Sequence, residues 1–319
     1  MSSVLDPATG MFLSGMREAG GKPLYELGVD EIRATISMAS AQLAAPLADV
    51  HQIVERRIPV EGGEIAARIY TPRPIAAGEM LPLVVQFHGG GFVAGDLDTH
   101  DSISRYYARH ADAIVIAADY RLAPEHRFPV ALEDSYAAVI WASEHAAELG
   151  ADAGRLALTG DSAGGNLVAA LCQLAKARGG PRIAFQALIY PVVDFDLGAS
   201  YQSRTLFGGG DYFLSMRDME LFLSLYAADV ARDAADPRLS PLKAADLSGL
   251  PPALVVTSGC DLLRDEGKAY ADRLAAAGVP VEYRCIEGTI HACMSFAGAI
   301  PLGLEALQFV ASRLTAALE

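Results

Sequence analysis

The chain has 319 residues, 52% of them hydrophobic, so a large buried core is available and global disorder is excluded. Its 25 Lys and Arg against 39 Asp and Glu give a net charge of −14, which makes phosphate backbones poor partners and excludes a nucleic-acid role. The start, MSSVLDPATGMFLSGM, carries Asp6 ahead of any apolar stretch, unlike a secretory signal, and nowhere do about 18 apolar residues run together. A cytoplasmic protein without a membrane span is expected. Cys172, Cys260, Cys285 and Cys293 lack zinc-type spacing and are expected to be thiols, and no metal site is expected.

In chain order, residues 1–50 read as helical, with an amphipathic helix clearest from Glu31 to Leu43. HQIVERRIPV and EIAARIYTP then flank Glu61-Gly62-Gly63 as a hairpin. From Leu81 onward the apolar strands LVVQFH, AIVIAADY, LALTG, FQALIY, ALVVTSG and VEYRCI alternate with helical stretches, including 131–149, 163–178, 265–277 and 302–318. Such alternation predicts an α/β architecture, a mostly parallel sheet covered on both faces, with sites at the carboxyl ends of its strands. Residues 196–235 break the pattern and are rich in apolar and aromatic side chains, Phe207, Tyr212, Phe213, Phe222 and Tyr226 among them. They predict an inserted cap over the site, while an ordinary core helix is the plainer reading.

The segment LALTGDSAGG, residues 156–165, puts Ser162 on a strand-to-helix turn between Gly160 and Gly164. The plainer reading is a Ser that caps the next helix; the sharper one is a nucleophile, which needs a base and a third group to hold that base. On this kind of turn the chain order is Ser, acid, His. Only His291 follows Ser162, and it comes just after strand VEYRCI. Among Asp194, Asp211, Asp261, Asp265, Glu266 and Glu287, Asp261 stands just beyond strand ALVVTSG and is favoured, with Asp265 as the alternative. A tetrahedral intermediate also needs backbone donors, which LVVQFHGGGF supplies: Gly90 and Gly91 N–H, together with Ala163 N–H, form the expected oxyanion hole. His88 and Gly89 form the supporting loop, with His88 bracing it by hydrogen bonds. A rival reading takes Gly89-x-Gly91-x-x-Ala94 with Asp119 as a dinucleotide site, but no helix is expected to open at those glycines.

With these residues assembled, the chain resembles the hormone-sensitive-lipase-like (bacterial family IV) carboxylesterases of the α/β-hydrolase superfamily, GDSAG subgroup, from about residue 52 to the C-terminus. The resemblance rests on HGGGF at 88–92, DYRLAPE at 119–125, GDSAGG at 160–165, YP at 190–191 and DLLRDEG at 261–267, in order and spacing. It implies an α/β-hydrolase fold and Ser162, Asp261 and His291 as a triad, with the oxyanion hole above and no cofactor. It also implies a cap from residues 1–50 plus the insertion, small-molecule acyl esters of short to medium chain as substrates, and homodimers. One departure concerns packing: the family usually follows its His with Gly-Phe, whereas this chain has Ala292-Cys293. Arg121 and Glu125 read as a buried paired charge that pins a loop. A non-catalytic binding protein on the same fold, or a lactonase or amidase, are the competing functions. Cys260 and Cys293 flank the expected acid and base, so thiol modification is expected to inhibit unless burial protects both.

Overall fold

The computed structural model describes residues 4–319. Two helices, α1 (Pro7–Glu18) and α2 (Val29–Leu43), precede the sheet, and the hairpin β1 (Gln52–Val60) and β2 (Gly63–Thr71) follows. The alternating part runs β3 (Leu81–Phe87), α3 (Asp101–Ala111), β4 (Ile114–Asp119), α4 (Val130–Leu149), β5 (Ala151–Asp161), α5 (Ala163–Arg178) and β6 (Phe185–Ile189). Between β6 and β7 (Ala253–Ser258) lie α6 (Gln202–Phe207), α7 (Met216–Tyr226) and α8 (Val230–Ala235), as the broken alternation predicts. The chain closes with α9 (Arg264–Ala276), β8 (Val281–Ile286) and α10 (Pro301–Leu318). Strand β5 is longer than LALTG suggests: Ala151 pairs with Leu81, and an irregularity separates that contact from the ladder that resumes at Leu156 and Leu83.

The strands form one sheet in the order β1-β2-β4-β3-β5-β6-β7-β8, with antiparallel pairing only at β1–β2 and β2–β4. Side chains of a strand alternate between faces. Leu83, Val85 and Phe87 of β3 therefore enter the core shared with α4, α5 and α9, while Val84 enters the core shared with α3 and α10. Burial on both faces explains why these strands read as continuous apolar runs. The parallel strands β3, β5, β6, β7 and β8 end on one edge, where Ser162, His88, Asp261 and His291 follow directly.

The tightest packing lies at the β5–α5 turn. A Cβ on Gly164 would stand 2.0 Å from Phe87 O and 2.7 Å from His88 O, and one on Gly160 would stand 2.4 Å from the Gly164 carbonyl carbon. Helix α5 thus starts in contact with the end of β3. A Cβ on Gly165 would likewise stand 2.9 Å from Pro191 Cβ, so the second glycine of this turn is packed against the loop after β6. Backbone atoms cannot move aside as a flexible side chain would, so Gly164→Ala should cost at least about 3 kcal/mol. Urea unfolding checks this; a near-native midpoint would contradict the packing described.

Candidate active site

The turn at Ser162 is strained, with φ 54° and ψ −115°. A non-glycine residue in that region stores roughly 1–3 kcal/mol and is held there by its surroundings. Here Ser162 N–H donates to Ile189 O at 2.9 Å, and Asn166 N–H donates to Ser162 O at 3.0 Å. The Ser162 side chain does not cap α5, so the plainer reading of this residue fails. Its Oγ lies 2.9 Å from His291 Nε2, and His291 Nδ1 lies 2.8 Å from Asp261 Oδ2. Because a carboxylate only accepts, Nδ1 carries the hydrogen, leaving the Nε2 lone pair to accept the Ser162 hydroxyl.

Asp261 and His291 are buried, at 1% and 5% exposure. Asp261 Oδ1 also accepts the Leu263 N–H at 2.9 Å. The loops that carry the two residues are tied together by Gly259 N–H to Ile286 O (3.0 Å) and Cys260 N–H to Thr289 O (2.8 Å). Asp265 is elsewhere engaged, accepting the Ser203 N–H at 2.8 Å, which separates it from Asp261. Glu266 is wholly buried against Arg204 at 2.6 Å and accepts the Val193 and Asp194 N–H groups; burial pushes its carboxyl up to about 7. Asp194 accepts the Tyr201 hydroxyl. None of these lies against His291.

The glycine loop after β3 is fixed one peptide plane at a time. In the first plane, Tyr120 O–H donates to His88 O at 2.7 Å, and Gly89 N–H donates to Asp161 Oδ1 at 3.1 Å. In the second, His88 Nδ1 lies 2.8 Å from Gly89 O. That bond turns the Gly90 N–H, in the same plane, to the opposite side. Among the described residues neither Gly90 nor Gly91 N–H has a protein acceptor, and Ala163 N–H is the first of α5. All three are therefore donors available to an anion beside Ser162. Gly90 and Gly91 have φ 116° and 64°, which side chains would resist. The glycines run into a loop and not into a helix, since α3 begins only at Asp101, so the dinucleotide reading fails.

Three groups around this loop were not singled out as partners by sequence reasoning. Asp161, next to Ser162, is buried, and its Oδ1 lies 3.1 Å from His100 Nε2. Burial disfavours its charge, but the charge and hydrogen bond of His100 outweigh that and hold its carboxyl below the usual range. Tyr120 stacks on His88 with ring centroids 4.2 Å apart. Arg33, on α2, donates to Val93 O at 2.9 Å and to both oxygens of Glu125. Glu125 is half exposed and pairs with Arg33, while Arg121 pairs with Asp134 at 2.6 Å. The expected buried Arg121/Glu125 charge is thus corrected to two separate clasps, because the two side chains leave the loop in different directions.

The loop at Ala292-Cys293 shows the consequence of the departure in sequence. Ala292 has φ 60°, a conformation glycine adopts freely and alanine at a cost of about 1 kcal/mol. Cys293 is buried with its Sγ 3.6 Å from Ser258 Oγ, and burial pushes its thiol up to about 11. Cys260 is fully buried as well. Burial protects both positions, and the raised thiol adds to this at Cys293, so the expectation of inhibition by thiol reagents is withdrawn. None of the four cysteines is in a disulfide.

A cavity of about 300 Å³ opens above Ser162, lined by Phe12, Leu24 and Ile36 from the N-terminal segment and by Phe213, Leu214, Met219 and Phe222 from the insertion. Phe213 and Phe222 line it, whereas Phe207 packs on Tyr212 and Tyr226 stacks on Phe92. The aromatic residues of the insertion therefore divide between pocket and packing. Tyr25 N–H donates to Asp218 Oδ1 at 3.0 Å, joining the two covering segments. Among the described residues no cluster of His, Cys, Asp or Glu is arranged to hold a metal, and no helix is long and apolar enough to cross a membrane.

Burial holds the His88 imidazole down to about 4 from 6.5, with the charge of His100 adding to the effect. The folded pKa is the lower one, so the stabilisation is complete above pH 6.5 and is lost as pH falls toward 4. It amounts to about 3 kcal/mol at most. Asp119, pushed up to about 6 by burial, acts in the opposite sense over part of that window. The comparison with His88→Gln isolates the His88 contribution: urea midpoints should fall more steeply between pH 6.5 and 4 in the wild type than in the variant. Equal slopes would contradict a buried neutral His88.

The comparisons with known proteins bear on the fold and the activity. A family model described as an alpha/beta hydrolase fold matches residues 84–295. The chain is 47% identical over 297 residues to the carboxylic ester hydrolase LipN of Mycobacterium tuberculosis, covering 91% of this chain and 77% of that protein. It is 38% identical to an arylesterase of Saccharolobus solfataricus, covering 90% of this chain and 92% of the relative. Among solved structures, an esterase of Pyrobaculum calidifontis superposes with a TM-score of 0.91 at 38% identity, over 99% of this chain and all of the other. The chain belongs to the α/β-hydrolase family and is a carboxylic ester hydrolase.

Proposed function

We propose that the hydrolysis runs through an acyl-enzyme on Ser162, with His291 as general base and acid, Asp261 as its orienting carboxylate, and Gly90, Gly91 and Ala163 N–H as the oxyanion hole. The observation that carries this reading is the unbroken chain from Ser162 Oγ to His291 Nε2 at 2.9 Å and from Nδ1 to Asp261 at 2.8 Å, on a strained turn under the cavity. The Ser162 proton passes to Nε2 as Oγ bonds to the ester carbonyl carbon. The carbonyl oxygen becomes an oxyanion facing the three N–H groups. Collapse breaks the C–O bond to the alcohol, which leaves with the proton from Nε2. Water then repeats the sequence on the acyl-enzyme: His291 takes its proton, the acid is released, and Ser162 regains its hydrogen. Asp261 keeps its charge and stabilises the imidazolium throughout. A binding protein without hydrolysis has no use for this chain, so that reading is set aside.

The GDSAG turn, with Asp161 at its second position, supports placing the protein in that subgroup of the hormone-sensitive-lipase-like esterases. A cavity of about 300 Å³ lies at the small end of ligand sites, which run from about 300 to 1,000 Å³, and its apolar lining favours short- to medium-chain acyl esters. Residues 1–50 and the 196–235 insertion act as the cap. The same reading includes a cytoplasmic protein that forms homodimers, which sedimentation velocity checks.

Ser162→Ala and His291→Ala should each lower kcat on p-nitrophenyl esters by about 10⁴-fold or more, and the double variant should be little worse. Asp261→Asn should be severely impaired, while Asp265→Asn, whose carboxylate holds the start of α6 and the neighbouring Arg264, keeps most activity. Rates over p-nitrophenyl esters of increasing acyl length should peak at short to medium chains. Full activity in Ser162→Ala would end the proposal, and a reversed ranking of the two aspartates would overturn the assignment of the acid.

A further inference from the structure

A second carboxylate–histidine pair lies beside the Ser162–His291–Asp261 chain, and no chemical step above uses it. Asp161 Oδ1 receives two donors, the Gly89 N–H at 3.1 Å and His100 Nε2 at 3.1 Å. The Gly89 N–H is also directed at His100 Nε2, 3.3 Å away, so it lies between the imidazole and the carboxylate. An ionised carboxylate oxygen only accepts, so Nε2 carries a hydrogen and both groups converge on the same oxygen. The other ring nitrogen of His100, Nδ1, lies 3.0 Å from Thr99 Oγ1. Thr99 is in turn fixed to Asp96 by its hydroxyl and its N–H. The contact with the glycine loop is close enough to exclude any side chain: a Cβ on Gly89 would stand 2.5 Å from Asp161 Oδ2 and 3.0 Å from Asp161 O.

The consequence follows from peptide planarity. Asp161 fixes the Gly89 N–H, and hence the plane of the His88–Gly89 bond. The next plane carries the Gly90 N–H. Without a second donor, the Asp161 carboxylate could turn about its own side-chain torsions and release that N–H. His100 prevents the turn by holding Oδ1 from the far side, and both side chains are about 6% exposed, so water does not substitute for it. We infer that His100 and Asp161 are positioning residues for the oxyanion hole: His100 fixes the Asp161 carboxylate, which fixes the glycine loop on the same turn that carries Ser162. The inference rests on the acyl-enzyme reading above, since it assumes that the Gly90 and Gly91 N–H groups bind the oxyanion.

The groups facing the pair are His88, whose ring centroid is 5.5 Å from that of His100, the Tyr120 hydroxyl above His88, and His291, which acts on Asp161 by its charge. Neither His88 nor Tyr120 hydrogen-bonds to Asp161, so nothing else in the described structure takes over from His100.

The test is steady-state kinetics of full-length His100→Leu and His100→Gln on p-nitrophenyl acetate, with inhibition by a trifluoromethyl ketone and thermal unfolding of each variant. Misplacing an oxyanion donor by about 1 Å costs roughly 10²-fold. His100→Leu should therefore lose about 10²-fold in kcat with KM nearly unchanged, and should weaken the ketone by a similar factor, because the ketone adduct carries the oxyanion. His100→Gln keeps an N–H within reach of Oδ1 and should recover at least tenfold of that loss. Asp161→Ala, which removes the accepting oxygen, serves if His100→Leu does not fold, and should show the same split between kcat and KM. A kcat within twofold of wild type in a folded His100→Leu or Asp161→Ala overturns the inference. So does a loss confined to KM, or one that leaves ketone affinity unchanged. Wild-type enzyme without activity on any ester tested would fail the acyl-enzyme reading instead, and the two failures are thereby told apart.

Discussion

The contact between helix α5 and the end of strand β3 governs the rest of the structure. Gly164 leaves no room for a β-carbon against Phe87 O, so the first turn of α5 sits directly beside the glycine loop that continues β3. Ser162 is forced to φ 54° as the chain turns between them. A looser approach would relax Ser162, but it would also carry Ala163 N–H away from Gly90 and Gly91. The strain and the preorganised donors are two results of one packing decision. Phe92, Tyr190 and Ala292, also at positive φ, surround the same spot; strain of this kind persists only where neighbouring structure over-determines it.

Charge is handled here by pairing in the interior. Asp261 is held by His291 and the Leu263 N–H, Asp161 by His100 and the Gly89 N–H, and Glu266 by Arg204 and two backbone N–H groups. A buried charge without partners would cost several kcal/mol and would neutralise instead. Each pair also joins segments distant in sequence. Arg204 and Glu266 fasten the insertion to the helix after Asp261, and Arg33 fastens α2 to the loop after the glycines. The insertion and the N-terminal segment are therefore attached to the loops beside the cavity, so their removal would disturb those loops as well as the cavity's lining.

Much of this was legible in the sequence because period and punctuation are local. The strands β3 to β8 and the helices α4, α5, α9 and α10 follow from apolar runs and glycine stops, and the order Ser, acid, His singles out His291 as the only histidine after Ser162. Strand ends then favour Asp261 over Asp265. What was not legible is contact between segments far apart. Nothing local marks His100 as the neighbour of Asp161, 61 positions away, or Arg33 as the partner of Glu125, 92 positions away. The accessibility of Cys260 and Cys293 was hidden for the same reason, since burial is a property of the fold and not of a loop's address. The raised φ at Ala292 lay in between: the missing glycine was visible, and its conformational meaning was not.

The most direct measurement of the central claim is covalent. Excess fluorophosphonate should modify the folded protein at one equivalent per chain, with the adduct at Ser162 by peptide mass spectrometry. His291→Ala should all but abolish the labelling, because the imidazole is the group that accepts the hydrogen of Ser162. Labelling at another residue, or labelling of Ser162 no faster in the native protein than in urea-unfolded chain, would contradict an activated serine on this turn.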